Sequence, residues 1–351
     1  MTPNPMVPPA LPLLRLLILG TGAMAKRFGA QLARAGQAQV TLAGSWPEAL
    51  RAIAREGITV EEADAVWRVS VEVSDRAALP AAAFDLVLVL VKSHQTEAVA
   101  PLAARALAPG GIILSLQNGI GNREILSAAA PGRRVRAGVT SAGATGLGPS
   151  RVRLGGPGLT VLGEMGGDGA DGADTEPRTT ATTETNGDRA RNPDPNPRPL
   201  RLRDLARRFE SAGLKTECST ELDRLLWRKL AVNCAINPLT ALHGIPNGRL
   251  LEDPALHAQM EAAAREVQAV AEAKGIDLGL DAAVLAEEVA RKTAGNRSSM
   301  LQDMDRGART EIDAIAGAVV REGQRLDVPT PVNASLWEAV LLASAAAEVA
   351  A

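Results

Sequence analysis

Lys229, Asn233 and Asn237 recur at four-residue intervals in WRKLAVNCAINPLTAL, the otherwise largely apolar segment from Trp227 to Leu242. At about 100° per residue, three such positions span roughly 80° of one helical face, so the spacing predicts a polar stripe. Val232, Ile236 and Leu239 flank the stripe on one side and Leu230 and Cys234 on the other. A stripe bordered in this way is expected to point into a cleft. An ammonium there can stabilise a developing oxyanion and hand it a proton. Two amides one helical turn apart can both donate N–H groups to one carboxylate or hydroxyl, although buried amides also serve to bridge backbone groups. The chain has no tyrosine and 3 histidines, which leaves lysine, aspartate and glutamate to move most protons and singles out Lys229. His94, His243 and His257 are scattered along the chain and are assigned no chemistry.

A partner for that stripe is written near the start of the chain. LLILGTGAMAKRFGAQLARAG sets Gly20, Gly22 and Ala25 at GxGxxA spacing between a strand pattern and a helix pattern. Gly20 permits a tight turn, Gly22 lets the backbone approach a pyrophosphate, and Ala25 keeps the helix close to the sheet. With Thr21, Ala23 and Met24 they form a turn whose helix N-terminus offers free N–H groups to phosphates. An NAD-selective unit usually ends its second strand in a carboxylate that holds the ribose 2′-hydroxyl. Here that strand ends VTLAGSW, with Ser45 at its tip, Glu48 nearby and no arginine at the strand end. The absence favours NADP as cofactor, with NAD possible.

These residues need two kinds of scaffold. From Leu13, apolar runs alternate with amphipathic helical patterns: LLRLLILG, AKRFGAQLARAG, QVTLAG, then a helix near Pro47 to Glu56. Further apolar strands are expected at Asp85 to Lys92 and Gly110 to Asn118, with a helix around Gln95 to Ala108 before the second. This is the grammar of an α/β parallel sheet covered on both faces. A helix and strand in RLRDLARRFESAGLKTECS close this first domain, 13–220, near residue 220. From 221 to 351 the pattern is helical: a PNG turn at Pro246 to Gly248, a helix from Pro254 to Lys274, and others from Asp281 and Ser299 onward. Residues 1–12 read as a proline-rich, flexible leader. The segment 163–199 is almost free of large apolar residues and reads as a disordered surface insertion without chemistry.

With 351 residues, 46% of them hydrophobic, the chain can bury two cores, and a formal charge of -2 argues against nucleic acid as a partner. Cys218 and Cys234 belong to no disulfide or metal-ligand pattern, so no metal is expected and a reducing cytosol fits. The run Leu11 to Leu19 contains Pro12 and Arg15 and lacks a basic leader, unlike a signal peptide. No apolar stretch reaches the roughly 18 residues that a membrane span requires. A cytoplasmic protein with no membrane contact is expected.

GTGAMA, VKSHQT, LQNGIG, WRKLAVNCAINPLTAL, IPNG and NRSSMLQDMDRGARTEID occur in that order. Together they resemble the ketopantoate reductase (2-dehydropantoate 2-reductase) family over nearly the whole chain outside the leader and the insertion. The resemblance implies an N-terminal Rossmann-type dinucleotide-binding domain and an all-α C-terminal domain like that of 6-phosphogluconate dehydrogenase, with NADPH and ketopantoate bound between them. It implies reduction of ketopantoate to (R)-pantoate in pantothenate and coenzyme A biosynthesis by a monomer or homodimer. Lys229 then matches the proton donor, and Asn233, Asn237, Asn247 and Ser299 match substrate-binding positions. Asn118 matches a residue touching both substrate and nicotinamide ribose, while Lys92, Ala144 and Glu311 match cofactor contacts. Some members carry a strand-end arginine for the 2′-phosphate where this chain has Ser45.

Local readings stand beside the implied ones. Asn118-Gly119 and Asn247-Gly248 are also plain turn signals. Ser299 with Gln302 has the spacing of a capping box. Glu311 and Lys92 could be solvated charges. Two other readings also remain open: a reductase of another branched 2-keto acid on the same fold, and a non-catalytic NAD(P)-sensing protein.

Overall fold

A computed structural model describes residues 13–63, 65–163 and 200–350. The expected leader 1–12 and, apart from Gly163, the expected insertion lie outside the described residues. The first half runs β1 (Leu14–Leu19), α1 (Ala23–Arg34), β2 (Ala38–Gly44), α2 (Pro47–Glu56), β3 (Ile58–Glu62), β4 (Ala65–Val69), β5 (Glu72–Asp75), β6 (Phe84–Val89), α3 (Thr96–Ala106), β7 (Leu107–Ser115) and α4 (Asn122–Ala129). It continues with β8 (Arg134–Thr140), β9 (Ala144–Gly146), β10 (Arg151–Leu154), β11 (Thr160–Gly163), α5 (Leu202–Ser211) and β12 (Thr216–Cys218). The rest is helical: α6 (Leu222–His243), α7 (Pro254–Ala273), α8 (Ala282–Lys292), α9 (Ser299–Asp305), α10 (Ala316–Leu326) and α11 (Pro331–Ala350).

In β1 every residue but Arg15 is buried, because the sheet is covered on both faces, and apolar runs suit such strands. The sheet has eight strands in the order β12-β11-β8-β7-β6-β1-β2-β5. From β8 to β5 all neighbours are parallel. β11 departs from the parallel arrangement expected above: it runs antiparallel to β8, because only β9, β10 and loops, with no crossover helix, join the two. The chain goes from β1 to β2 on one side and later to β6 on the other. This reversal opens a crevice at the carboxyl ends of the strands, where doubly wound sheets bind ligands.

A second sheet, in the order β4-β3-β10-β9, has no counterpart in the sequence reading. Two consecutive basic residues of α1 tie it down. The Lys26 ammonium donates to the Gly148 carbonyl at 2.6 Å, and the Arg27 guanidinium donates to the Gly156 and Pro157 carbonyls at 3.2 Å each. The helix that follows the glycine-rich turn is thereby fixed against β9, which carries Ala144.

In the second half, α6 is the central post and α7, α8, α9 and α11 pack on it. Its buried Trp227, Leu230, Cys234 and Leu239 share a core with Met260 and Val267 of α7 and Ala286 of α8. Asp253 and Asp281 cap α7 and α8 through their side chains. The start of α11 is capped from a neighbouring helix. Val332 N–H and Asn333 N–H donate to the two Glu266 carboxylate oxygens at 2.8 Å each, and Asn333 Nδ2 adds a third bond of 2.8 Å. Free first-turn N–H groups and the helix dipole both favour a carboxylate there. Glu266→Ala is therefore expected to lower the unfolding free energy by about 2–4 kcal/mol, since three donors lose a charged acceptor. Urea unfolding checks this, and a midpoint equal to wild type would show that the clamp contributes nothing.

Candidate active site

The glycine-rich turn forms where β1 meets α1. Gly20 has φ of +133°, and a Cβ there would lie 2.9 Å from the Leu90 carbonyl oxygen, so both the backbone and the space demand glycine. Gly22 precedes the first residue of α1, and a Cβ on it would meet nothing within 4 Å. The first turn of α1, which begins with Ala23 and Met24, contains no acidic residue. Thr21 is buried against Gly44, where an added Cβ would come within 2.6 Å of the threonine methyl. Ala25 is buried under the sheet, and Ser45 is exposed just past the end of β2. Open space, free N–H groups and no carboxylate make a fitting cradle for a pyrophosphate. Ala144 lies on β9, alongside α1.

Lys229, in the second turn of α6, reaches across to the sheet. Its ammonium donates to Asn118 Oδ1 at 2.9 Å and to the Thr140 carbonyl, at the end of β8, at 2.8 Å. Burial pulls the Lys229 ammonium down to about 8, opposed by the negative charge of Glu311. Both direct partners are neutral oxygens, so desolvation prevails over attraction.

Asn118 is the pivot. Its Nδ2 donates to Glu311 Oε2 at 3.0 Å, and Ser93 N–H donates to Glu311 Oε1 at 3.0 Å. Glu311 is 6% exposed, which removes the reading of it as a solvated charge. Lys92, just past β6, donates to Asp303 Oδ2 at 2.6 Å and lies 3.7 Å from Glu311 Oε2. Burial would lower the Lys92 ammonium, but Glu311 and Asp303 outweigh it and hold the group above the ordinary lysine value. Arg306 donates to the other Asp303 oxygen at 3.1 Å. Lys229, Asn118, Glu311, Lys92 and Asp303 thus form one chain of contacts linking the α/β half to the helical half.

The loop that presents Asn118 has a buried polar support that the sequence reading missed. Gln117 Nε2 donates to the Val91 carbonyl at 3.0 Å and to the Thr96 hydroxyl at 2.8 Å; Thr96 donates to Asn122 Oδ1 at 2.8 Å. Asn122 Nδ2 in turn holds the Asn118 carbonyl at 3.0 Å. Polar residues directly after an apolar strand, QNGIGN, were the available signal. Gly119 has φ of +80°, and a Cβ there would fall 2.1 Å from the Ala314 carbonyl oxygen. Only glycine allows this loop to dock beside Glu311. Asp303 was missed as well, although it lies within the quoted segment NRSSMLQDMDRGARTEID.

The remaining stripe residues differ. Asn233 is half-buried and Asn237 is 7% exposed, and neither makes a side-chain hydrogen bond within the described residues. Asn247 is placed otherwise: its Nδ2 donates to Thr293 Oγ1 at 2.9 Å and its backbone N–H to the Asn296 carbonyl at 2.9 Å. Among the described residues it shares no hydrogen bond with the Lys229 chain. Ser299 requires a correction. The cap of α9 is Ser298, whose hydroxyl accepts from Leu301 N–H at 3.1 Å and meets Thr240 Oγ1 at 2.8 Å. The anticipated box is one residue out of phase, because the buried Ser298 is anchored to α6 while Ser299 opens the helix with its side chain exposed. Elsewhere, His257, Glu261 and Glu287 bring possible metal-ligand atoms within 4.8 Å of one another. They are half-exposed, and each carboxylate faces an arginine of its own helix, Arg265 or Arg291.

A dinucleotide cradle on an α/β half, faced by an amine and free amides from a helical half, defines a class of dinucleotide-dependent oxidoreductases. Comparison with known proteins narrows the class. Residues 16–167 match the family described as "Ketopantoate reductase PanE/ApbA", and 221–343 match "Ketopantoate reductase PanE/ApbA C terminal". The 2-dehydropantoate 2-reductase of Halobacterium salinarum is 34% identical over 94% of this chain and 99% of its own. That of Archaeoglobus fulgidus is 33% identical, over 93% and 96%. A crystal structure of a PanE/ApbA family ketopantoate reductase from Ralstonia eutropha superposes with a TM-score of 0.79 at 32% identity, covering 95% of this chain and 100% of that one. D-mandelate dehydrogenase in complex with NADH gives 0.78 at 25% identity, covering 95% and 99%. The chain belongs to the ketopantoate reductase family.

Proposed function

We infer that the protein reduces 2-dehydropantoate to (R)-pantoate with NADPH. The observation that carries this reading is the Lys229 ammonium, with its pKa brought down to about 8, on the same helix face as two amides whose side chains make no hydrogen bond within the described residues. When bound, the dinucleotide supplies a hydride for the keto carbon. The carbonyl oxygen then gains negative charge, which Lys229 stabilises and quenches by donating a proton. Asn118 Oδ1 and the Thr140 carbonyl keep the ammonium aimed into the crevice until substrate arrives. Asn233 and Asn237 donate N–H groups to the substrate carboxylate or hydroxyl. Glu311 orients Asn118, and through it Lys229. Gly20, Thr21, Gly22, Ala23, Met24 and Ala25 hold the pyrophosphate, with Lys92, Ala144 and Ser45 along the rest of the cofactor. Asn247 supports the loop behind α9, and Ser299 lies at the start of that helix.

The D-mandelate dehydrogenase neighbour supports a second reading, since mandelate is also a 2-hydroxy acid: reduction of a different 2-keto acid, with NADH possible. The working protein is a monomer or homodimer in the cytoplasm, without nucleic acid; among the described residues no helix is long and apolar enough to cross a membrane.

Purified protein is expected to oxidise NADPH when ketopantoate is added, and faster than with other 2-keto acids of similar size. No oxidation of NADPH or NADH with any of these acids would leave the family membership without the activity. Lys229→Ala is expected to lower kcat by about 10²-fold or more, the usual span for loss of a general acid. Turnover close to wild type would take Lys229 out of the mechanism. The pH profile has a definite sign: proton donation needs the charged form, so ketopantoate reduction should hold below pH 8 and fall as pH rises through about 8. Oxidation of pantoate should rise over the same interval. A flat reductive profile from pH 6 to about 10 would contradict this assignment.

A further inference from the structure

Ser45 follows β2 without the positive charge that a 2′-phosphate calls for. The neighbouring strand supplies one. β5 runs parallel to β2 with Gly44 opposite Asp75, so the next residues, Ser45 and Arg76, leave the sheet side by side at its carboxyl edge. Arg76 opens a short 3₁₀ turn, Arg76–Ala78, whose cap is Asp75. Its Nη2 reaches Gln95 Oε1, at 3.4 Å, in the turn that follows β6. Since β1 and β2 lie between β5 and β6 in the sheet, this arm crosses the mouth of the crevice that begins at Gly20 and Gly22.

The guanidinium is poorly satisfied where it stands. Arg76 is half-buried, its Nε is buried without a hydrogen-bond partner, and it forms no ion pair within the described residues. Asp75 is turned to the backbone, accepting from Ala77 N–H at 2.8 Å. Burial lowers the Arg76 pKa, with Asp75 opposing, which marks a cation taken from water without a matched anion. Partly buried charges are normally paired, so an arginine with spare donors beside a nucleotide cradle points to a ligand anion. Two other cations of the site are engaged. Lys92 is held by Asp303 and Glu311. Lys26 is 1% exposed, bonded to the Gly148 carbonyl at 2.6 Å and covered by the Trp46 ring at 5.4 Å.

We propose that Arg76 reads the 2′-phosphate of NADPH, binding it together with the Ser45 hydroxyl in place of an arginine at the end of β2. This rests on the dinucleotide chemistry given under Proposed function and assigns cofactor choice to one residue. A planar guanidinium can present two parallel N–H donors to phosphate oxygens, which a ribose hydroxyl cannot exploit to the same degree.

Isothermal titration of the full-length protein with NADPH, NADH, 2′,5′-ADP and 5′-ADP tests it. Arg76→Gln is expected to raise the Kd for NADPH and 2′,5′-ADP by about tenfold or more while leaving NADH and 5′-ADP within about twofold. Arg76→Lys, which keeps the charge and loses the fork, should recover part of the difference. Added salt should weaken NADPH more than NADH in wild type, and that contrast should vanish in Arg76→Gln. Equal weakening of all four ligands, or unchanged affinities, would overturn the assignment; should Arg76→Gln fail to fold, wild-type behaviour in Arg76→Lys would do the same. Wild type that binds none of them would instead remove the dinucleotide reading itself, whereas normal ketopantoate turnover with an indifferent Arg76→Gln would sink only Arg76.

Discussion

Everything in the site hangs on one amide. Asn118 accepts from Lys229 at 2.9 Å through its oxygen and donates to Glu311 at 3.0 Å through its nitrogen. The three groups come from a loop after β7, from α6, and from the turn before α10. An amide is the side chain that can face an ammonium and a carboxylate together, giving each what it lacks. A carboxylate in its place would pair with the lysine directly and repel Glu311. An amine would do the reverse. The requirement explains why so much buried polar structure, Gln117, Thr96 and Asn122, is built around a short loop, and why Gly119 must let that loop lie against Ala314.

The fold follows from the need to bring those groups together from distant parts of the chain. The α/β half offers the carboxyl ends of β6, β7 and β8, where Lys92, Asn118 and Thr140 stand side by side. The helical half offers one long helix whose second turn reaches that edge. α6 can serve as the post because apolar residues surround its stripe and pack against α7, α8 and α11, leaving only the polar side toward the crevice. Ser298, joined to Thr240 of α6, sets the start of α9 and hence the position of Asp303.

Much of this was legible in the sequence, for reasons specific to each element. The glycine turn was legible because Gly20 answers to a backbone geometry that few other residues allow and Gly22 leaves the approach to the helix start open. The stripe was legible because amines and amides at helical spacing stand out in an apolar segment. The second sheet was not, since β9 has three residues and β10 four, and β3, which β10 pairs with, is remote in the chain. The cap of α9 was misplaced by one residue because two adjacent serines offer the same chemistry, and only contact with Thr240 selects between them. The pairing of Lys92 with Asp303, 211 positions apart, could not be read from local pattern at all.

The two lysines of the site show how placement divides the work. Lys92 is held by two carboxylates, which overcome its burial and keep it charged. It can neutralise Glu311 and Asp303 and fix the electrostatic background of the crevice, but it is a poor proton donor. Lys229 meets only neutral oxygens, and the nearest negative charge, Glu311, acts on it from behind Asn118. Burial therefore prevails, and its proton is held loosely enough to be given up near pH 8. Had Glu311 touched Lys229 directly, the pair would have been a tight ion pair and the proton would stay where it is. The interposed amide keeps the carboxylate close enough to orient the amine and far enough away to leave it acidic.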